Sequence, residues 1–150
     1  MLSGQFTQIV IRGLDRVIAR TSAKDAQNTP AHQRTGRRGE EDAYFHLRRR
    51  GYIMVARNFR TPRHHGEIDL IGWDKDVLCF IEVKTRTTRD IKLAAAAVDR
   101  KKRHHIRVVI RDYLRTFPEL PQWHFAVVTV YYEGRKHPTF EAIPECLLSS

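Results

Sequence analysis

The sequence predicts an α/β domain with a central sheet of four or five strands, and three observations support this prediction. Two apolar runs around a short polar turn predict a β-hairpin between Gly66 and Lys84. One helical pattern precedes the hairpin, starting at Gly36, and a second runs from about Leu93 to Thr116. An alternating, β-branched segment from Trp123 to Tyr132 then predicts a further strand.

The N-terminal segment has two parts with different composition. Residues 1–20 place apolar side chains at helical spacing with arginines between them, which predicts an amphipathic helix or a disordered extension. Packing on the domain or fraying is the favoured interpretation, and contact with a partner or a membrane surface is the alternative. Residues 21–35 are polar, contain Pro and lack an apolar period, which predicts a flexible linker. The folded domain is expected at residues 36–145.

The first helix of this domain is expected to end at Gly51, directly after a basic run. Glu40 lies on or beside its apolar stripe, so a carboxylate borders a surface fit for burial. Either Glu40 serves a site, or its charge favours the helix dipole by about 0.3–1 kcal/mol. Arg37 and Arg38 precede it and could contact phosphate. The members of the apolar stripe are Ala43, Tyr44 and Leu47.

A first strand is predicted from Tyr52 to Phe59, and Pro62 marks its end. The loop that follows contains Arg63, His64 and His65. Paired histidines suggest zinc, but no second set of zinc ligands lies nearby in the sequence. A phosphate-facing or solvated loop is the better interpretation.

Alternation along the hairpin decides which side chains share a face of the sheet. Asp69 is predicted to face away from Ile68 and Leu70. It reaches the side of Glu82 only if it pairs opposite Glu82 or opposite Phe80, and we predict a register of this kind. One face of the second strand contains Leu78, Phe80, Glu82 and Lys84. The other face is apolar and is expected to be core: Val77, Cys79, Ile81 and Val83.

Charged side chains in strands fit for burial are costly unless they are paired or bind a metal. Asp69, Glu82 and Lys84 would together place two carboxylates and an ammonium group on one side of the sheet. Such a set suits Mg²⁺, which accepts a few carboxylate oxygens and keeps several waters. The alternative is a surface ion pair between Glu82 and Lys84, because Glu-x-Lys alone is a common pattern. The carboxylate in the adjoining strand favours a site.

The second helix has a basic run at residues 100–107, and helical geometry spreads these charges around its surface. Contact with phosphate and a solvated helix face are equally good interpretations of the run. A polar loop is predicted before this helix, at Thr85–Asp90, and a short strand is predicted near Thr139–Ala142.

Composition indicates a polyanionic partner. The chain has 27 Lys and Arg against 17 Asp and Glu, a net charge of +10, which favours nucleic acid. A basic surface without a ligand is the alternative. Cys79 and Cys146 form neither a metal pattern nor a disulfide framework, so a reducing, cytoplasmic location is expected. No apolar run approaches the roughly 20 residues of a transmembrane segment.

Five stretches of the sequence, together with Asp69 and Glu82-Val83-Lys84, resemble a known family. They resemble the YraN-like family of uncharacterised, endonuclease-related bacterial proteins, over roughly Thr35–Val130. Asp69 and the Glu-x-Lys pair are similar to the active-site signature of the PD-(D/E)xK nuclease superfamily, which includes archaeal Holliday-junction resolvases. The five stretches are Gly36–Glu40, Gly51–Tyr52, Arg57–Arg60, Gly66–Ile71 and Ile81–Arg86.

The resemblance implies a restriction-endonuclease-like fold, with a mixed central sheet flanked by helices, and a metal-dependent endonuclease. Asp69 and Glu82 would bind Mg²⁺ or Mn²⁺ with help from Glu40, and Lys84 would position the attacking water. The implied partner is nucleic acid, in the first place DNA, and branched DNA in particular. The resemblance to the resolvases also implies a homodimer. The residues expected to hold the nucleic acid are Arg37, Arg38, Arg63, Lys102 and Arg103.

Three departures from the resembling family raise questions about the site. The loop before Gly66 is about two residues longer than usual. Arg103 stands where the family commonly has Gln, although Lys102 keeps the pattern. Ala126 stands where the family often has Asp, so this position either does not matter to metal binding or weakens the site.

Two other classes of function therefore stay open. A nucleic-acid-binding module on a nuclease-like scaffold would bind without cleaving, and an interaction protein would use the basic helices to bind an acidic partner. The nuclease and the non-cleaving module both predict salt-sensitive binding to nucleic acid, because neutralised phosphates release counterions. Only a nuclease predicts metal-dependent cleavage that is lost in Glu82→Ala or Lys84→Ala while binding survives.

Overall fold

The computed structural model describes residues 31–87, 100–134 and 137–145. The predicted N-terminal helix and residues 21–30 of the predicted linker lie outside these ranges. The chain divides into two units between Arg37 and Arg38. Residues 31–37 are the described part of the first unit and are helical, whereas the second unit contains the sheet.

Two helices and five strands make up the described residues. Helix α1 spans Ala31–Arg49, and helix α2 spans Arg100–Leu114. The strands are β1 (Ile53–Arg60), β2 (Glu67–Asp74), β3 (Val77–Arg86), β4 (Trp123–Tyr131) and β5 (Thr139–Glu145).

The strands form one mixed sheet in the order β1-β2-β3-β4-β5. The β3–β4 pair is parallel and the other three pairs are antiparallel. Helix α2 lies between β3 and β4 in the chain, so it belongs to the crossover that a parallel pair requires. The prediction of an α/β, restriction-endonuclease-like domain with a mixed sheet flanked by helices is confirmed.

The hairpin formed by β2 and β3 has the predicted register. Leu70 pairs with Ile81, so Asp69 faces Glu82 across the next position. The turn between the strands places Lys75 in the left-handed region, at φ 53°. Charged residues of the two strands therefore meet on one side of the sheet, as the alternation predicted.

A hydrophobic cluster lies on each face of the sheet, under a different helix. On the α1 side, Ala43, Tyr44 and Leu47 pack against the predicted core face of β3, including Cys79 and Ile81. The cluster on the α2 side includes Leu78, Phe80, Ile106, Val109 and Ile110. Alternation predicted one buried face for β3, but a central strand covered by helices on both sides is buried on both.

The predicted boundaries need three corrections. Helix α1 begins at Ala31, so residues 31–35 of the predicted linker are helical. Thr85 and Arg86 belong to β3 and not to a loop, because parallel pairing with β4 continues to Tyr131. Strand β5 extends to Glu145, beyond the predicted end at Ala142. Residues 93–99 of the predicted second helix lie outside the described ranges.

Strict alternation is wrong at one residue of β2. Ile68 was expected to share a face with Leu70, but it belongs to the α2-side cluster with Ile71. The interruption lies beside Asn58 of β1, whose φ of 48° is left-handed, and next to the end of the β2–β3 ladder at Leu70. Regular pleating is lost at this point of the sheet, which is where the charged residues converge.

Candidate active site

Glu82 is the charged centre of the candidate site. It is only 2% exposed and lies on β3, in the middle of the sheet. Its Oε1 accepts a hydrogen bond from Lys84 Nζ at 2.8 Å and a second one from Lys102 Nζ. Burying a carboxylate is costly without such partners. Two ammonium groups, one from β3 and one from α2, therefore compensate the buried charge.

Asp69 faces Glu82 from β2 and is fixed by the backbone of β3. Its Oδ2 accepts a hydrogen bond from the Val83 N–H at 2.7 Å. The β2–β3 ladder ends at Leu70–Ile81, so the carboxylate satisfies a donor just beyond the regular backbone pairing. This bond holds Asp69 beside the strand that carries Glu82 and Lys84.

The electrostatics of the site show mutual repulsion between carboxylates. Burial, followed by the charge of Glu82, raises the pKa of Asp69 to about 8, although the Val83 N–H acts in the opposite direction. The charge of Glu40 raises it further, and that of Lys102 lowers it. An additional cation at this place would relieve the repulsion and favour ionised Asp69.

The carboxylates of the site also shift the pKa of Lys102. Burial alone lowers the pKa of this ammonium group, but the hydrogen bond and charge of Glu82 outweigh burial, so the pKa is raised. Lys102 was expected to hold nucleic acid, and the structure places it on Glu82 instead. A sequence signal for this position exists, because Lys102 lies one and two helical turns before the buried Ile106 and Val109.

Glu40 lies near the site and accepts a hydrogen bond from Asn58. The Asn58 Nδ2 group donates to Glu40 Oε2 at 3.2 Å and to Glu67 Oε1 at 3.1 Å. Glu67 Oε2 in turn accepts two bonds from the Arg60 guanidinium, one of them 2.8 Å from Nε. The structure thus brings Glu40 close enough to Asp69 to affect its pKa. Sequence reasoning assigned no role to Asn58, although it lies in a stretch that carries the family resemblance.

The other basic residues that were predicted to hold nucleic acid lie in different surroundings. Arg38 Nε is 3.7 Å from Asp42 Oδ2, and the Arg38 guanidinium stacks 4.9 Å above the Tyr132 ring. Arg37 and Arg63 are exposed, and Arg103 is half-buried. Glu82 Oε1 thus accepts from Lys84 and Lys102, whereas Arg38 lies beside Asp42 and Tyr132.

Ala126 lies on the face of the sheet opposite Glu82. It pairs with Ile81 in the parallel β3–β4 register, whereas Glu82 pairs with Val127. Val127 belongs to the α2-side cluster and the next residue, Val128, to the α1-side cluster. Alternation therefore directs Ala126 to the face opposite Glu82. A carboxylate at this position would not reach Asp69 and Glu82 across the sheet.

The donor set of the site fits a hard cation that needs few protein ligands. Within residues 31–87, 100–134 and 137–145, no group of three His, Cys, Asp or Glu side chains is close enough to hold a metal ion. Mg²⁺ is commonly held by one or two carboxylates, with waters and phosphate oxygens completing its shell. Asp69 and Glu82 supply such a pair, while the described residues do not supply a structural zinc site.

The loop before Gly66 contributes no ligand cluster. His64 Nε2 lies 3.5 Å from Asp112 Oδ2 on α2, and His65 is exposed. The solvated interpretation of this loop fits these positions. The described helices include none that is long and apolar enough to cross a membrane.

Comparisons with known proteins agree on one family. The model of uncharacterised protein family UPF0102 matches residues 39–130. A UPF0102 protein of Koribacter versatilis is 53% identical over 131 residues, which is 87% of this chain and 87% of the relative. One from Solibacter usitatus is 49% identical over 80 residues, 53% of this chain and 61% of the relative. One from Dictyoglomus thermophilum is 36% identical over 96 residues, 63% and 80% of the two chains.

Proposed function

Because the chain belongs to the uncharacterised protein family UPF0102, whose name states no activity, we propose its function from its site: a metal-dependent nuclease that hydrolyses phosphodiester bonds. The observation that carries the proposal is the buried Glu82, with Lys84 bonded to it and Asp69 facing it. Carboxylates that repel each other in a buried place, next to an ammonium group, suit phosphoryl chemistry at a hard cation.

The residues of the site have distinct roles in this proposal. Asp69 and Glu82 would hold Mg²⁺ or Mn²⁺, with Glu40 beside them. When bound, the ion would polarise the phosphoryl oxygen and lower the pKa of a bound water. Lys84 orients the attacking water and offsets negative charge that develops on the phosphoryl group. Lys102 balances the charge of Glu82 from the other side.

Nucleic acid is the substrate that the charge of the chain favours. The net charge of +10 attracts a polyanion, and Arg37, Arg38, Arg63 and Arg103 are the proposed phosphate contacts in addition to the site. The resolvase resemblance suggests DNA over RNA, and branched DNA in particular. The same resemblance suggests a homodimer, and sedimentation velocity would test it. Cys79 and Cys146 form no disulfide framework, which favours a reducing, cytoplasmic location.

A non-catalytic nucleic-acid-binding module is the second candidate, and one observation favours it. Glu82 Oε1 already accepts bonds from Lys84 and Lys102, so the buried charge is compensated without an ion. A scaffold that no longer cleaves could keep such a cluster for stability alone. The two candidates differ in whether cleavage accompanies binding.

A paired cleavage and binding experiment separates the candidates. Labelled linear, single-stranded, flapped and four-way-junction DNA is incubated with the protein in Mg²⁺ or Mn²⁺, with EDTA as the metal-free control. We expect metal-dependent cleavage that falls by at least about 100-fold in Lys84→Ala, the range for a lost group that stabilises developing charge. Cleavage should be lost in Glu82→Ala, which removes a proposed ligand of the ion. Binding, measured in Ca²⁺ or EDTA, should survive in both variants. Tight binding of every substrate without cleavage would favour the non-catalytic module.

A further inference from the structure

We propose that Asn58 is a positioning residue of the site, whose side-chain amide holds the Glu40 carboxylate near Asp69, where its charge would assist a metal ion held by Asp69 and Glu82. This inference rests on the proposed function, because only a metal-dependent nuclease would use Glu40 beside a metal ion. The Asn58 side chain donates to Glu40 and Glu67, not to Asp69 or Glu82, and it acts through Glu40.

The backbone of β1 is shaped to present this amide. Arg57 pairs with Leu70 and Phe59 pairs with Ile68, so Asn58 lies across from Asp69. Its φ of 48° is in the left-handed region, where Asn is several-fold enriched over other side chains. The left-handed residue of β1 is therefore located beside the point where β2 leaves its ladder with β3.

The hydrogen bonds explain what the amide does. One Nδ2 group donates to two carboxylates, Glu40 at 3.2 Å and Glu67 at 3.1 Å, and so bridges two like charges. Glu67 is itself anchored by the Arg60 guanidinium. Asn58 thus links Glu40, on α1, to an ion pair that is fixed between β1 and β2.

Glu40 needs such a link because the site repels it. Glu40, Glu67 and Asp69 are three carboxylates around Asn58, which donates to the first two and lies across from the third. A carboxylate under this repulsion turns away unless a donor holds it. Asn58 provides a donor to Glu40 without adding a positive charge beside the proposed metal site.

The test is the affinity for Mn²⁺, measured by calorimetry on the full chain without substrate. Asn58→Gly removes the amide and keeps the left-handed backbone accessible. We expect it to weaken Mn²⁺ binding about tenfold, the lower end of the range for lost partners of metal ligands. Lys75→Gly is the matched control, because Lys75 has a φ of 53° in the exposed hairpin turn. It should bind Mn²⁺ like the wild type.

A double-mutant cycle shows whether Asn58 acts through Glu40. In a Glu40→Gln background, Asn58→Gly should cause no further loss of Mn²⁺ affinity, because the carboxylate that it positions is gone. Glu67→Ala tests the other end of the bridge in a chain that retains Asn58. It should weaken Mn²⁺ binding when Glu40 is present and leave it unchanged in Glu40→Gln.

Each outcome of the cycle has a definite meaning. Undiminished Mn²⁺ binding by Asn58→Gly, or an equal loss with and without Glu40, would overturn the inference and leave the nuclease proposal standing. A wild-type chain that binds no Mn²⁺ would overturn the nuclease proposal, and the role of Asn58 with it.

Discussion

Asp69→Asn should make the metal-free protein more stable at alkaline pH. Burial and the charges of Glu82 and Glu40 raise the pKa of Asp69 from 3.8 to about 8. In the unfolded chain this carboxyl ionises near its ordinary pKa, while in the folded chain it keeps its proton until about pH 8. The unfolded state therefore gains stability between about pH 4 and pH 8, and the free energy of unfolding falls over this window.

The size of the effect follows from the difference between the two pKa values. At about 1.4 kcal/mol per pKa unit, the difference corresponds to an upper bound of about 6 kcal/mol. Water entry and relaxation of the partly buried site reduce this bound, so we expect Asp69→Asn to gain about 1–3 kcal/mol above pH 8. An Asn side-chain oxygen can still accept the Val83 N–H bond, so that contact is not lost.

Urea unfolding in EDTA at pH 5 and pH 8.5 measures this gain. The wild type and Asp69→Asn should differ more at pH 8.5 than at pH 5, while Asp76→Asn, in the exposed hairpin turn, should follow the wild type at both. Mg²⁺ should restore stability to the wild type at pH 8.5 and should not change Asp69→Asn. Parallel pH profiles for the wild type and Asp69→Asn would refute the electrostatic reasoning.

Three further predictions concern the packing of α1 on β3, the partners of Glu82 and the binding of DNA. Gly39→Ala should lower the free energy of unfolding by about 1–3 kcal/mol, because a Cβ there would lie 1.9 Å from Thr85 Oγ1. Adding Thr85→Ala should recover part of this loss in urea unfolding, and an unchanged loss would contradict the steric explanation. Lys102→Ala should raise Mn²⁺ affinity in calorimetry, since its ammonium group competes for Glu82 Oε1; weaker binding would show that Lys102 supports the ion. Binding of duplex DNA should weaken about tenfold or more between about 50 and 200 mM salt in a filter-binding assay, and a flat salt response would argue against phosphate contacts.

The elements of the sheet and their register could be predicted because each depends on local alternation. Burial of one face requires Asp69 to lie on the side of Glu82, since a slip of one residue would move every side chain of the strand to the other face. Pairing opposite Glu82 or opposite Phe80 both meet this requirement, and the structure has the first of the two. The same rule failed at Ile68, where Asn58 takes a left-handed conformation and pleating is interrupted. The alternation of apolar residues along β2 could not predict the left-handed conformation of Asn58 on the neighbouring strand.

The partners of the site residues were harder to predict than the residues themselves. Glu82 and Lys84 lie two apart on one strand, so their contact follows from local geometry. Lys102 and Asn58 reach the site from other elements, and their directions depend on how α2 and β1 pack on the sheet. Only the helical spacing of Lys102 relative to Ile106 was visible in the sequence. Asn58 offered no periodic signal, because its role comes from one unusual φ and two long-range hydrogen bonds.

The single-turnover cleavage rate of labelled four-way-junction and flapped DNA in Mg²⁺ tests the central claim most directly. Lys84→Ala is compared with Lys75→Ala, which removes a lysine of the exposed turn of the same hairpin. We expect cleavage at the wild-type rate in Lys75→Ala and a rate at least about 100-fold lower in Lys84→Ala, with DNA affinity retained in both. Equal rates in the two variants, or no metal-dependent cleavage by the wild type, would contradict it.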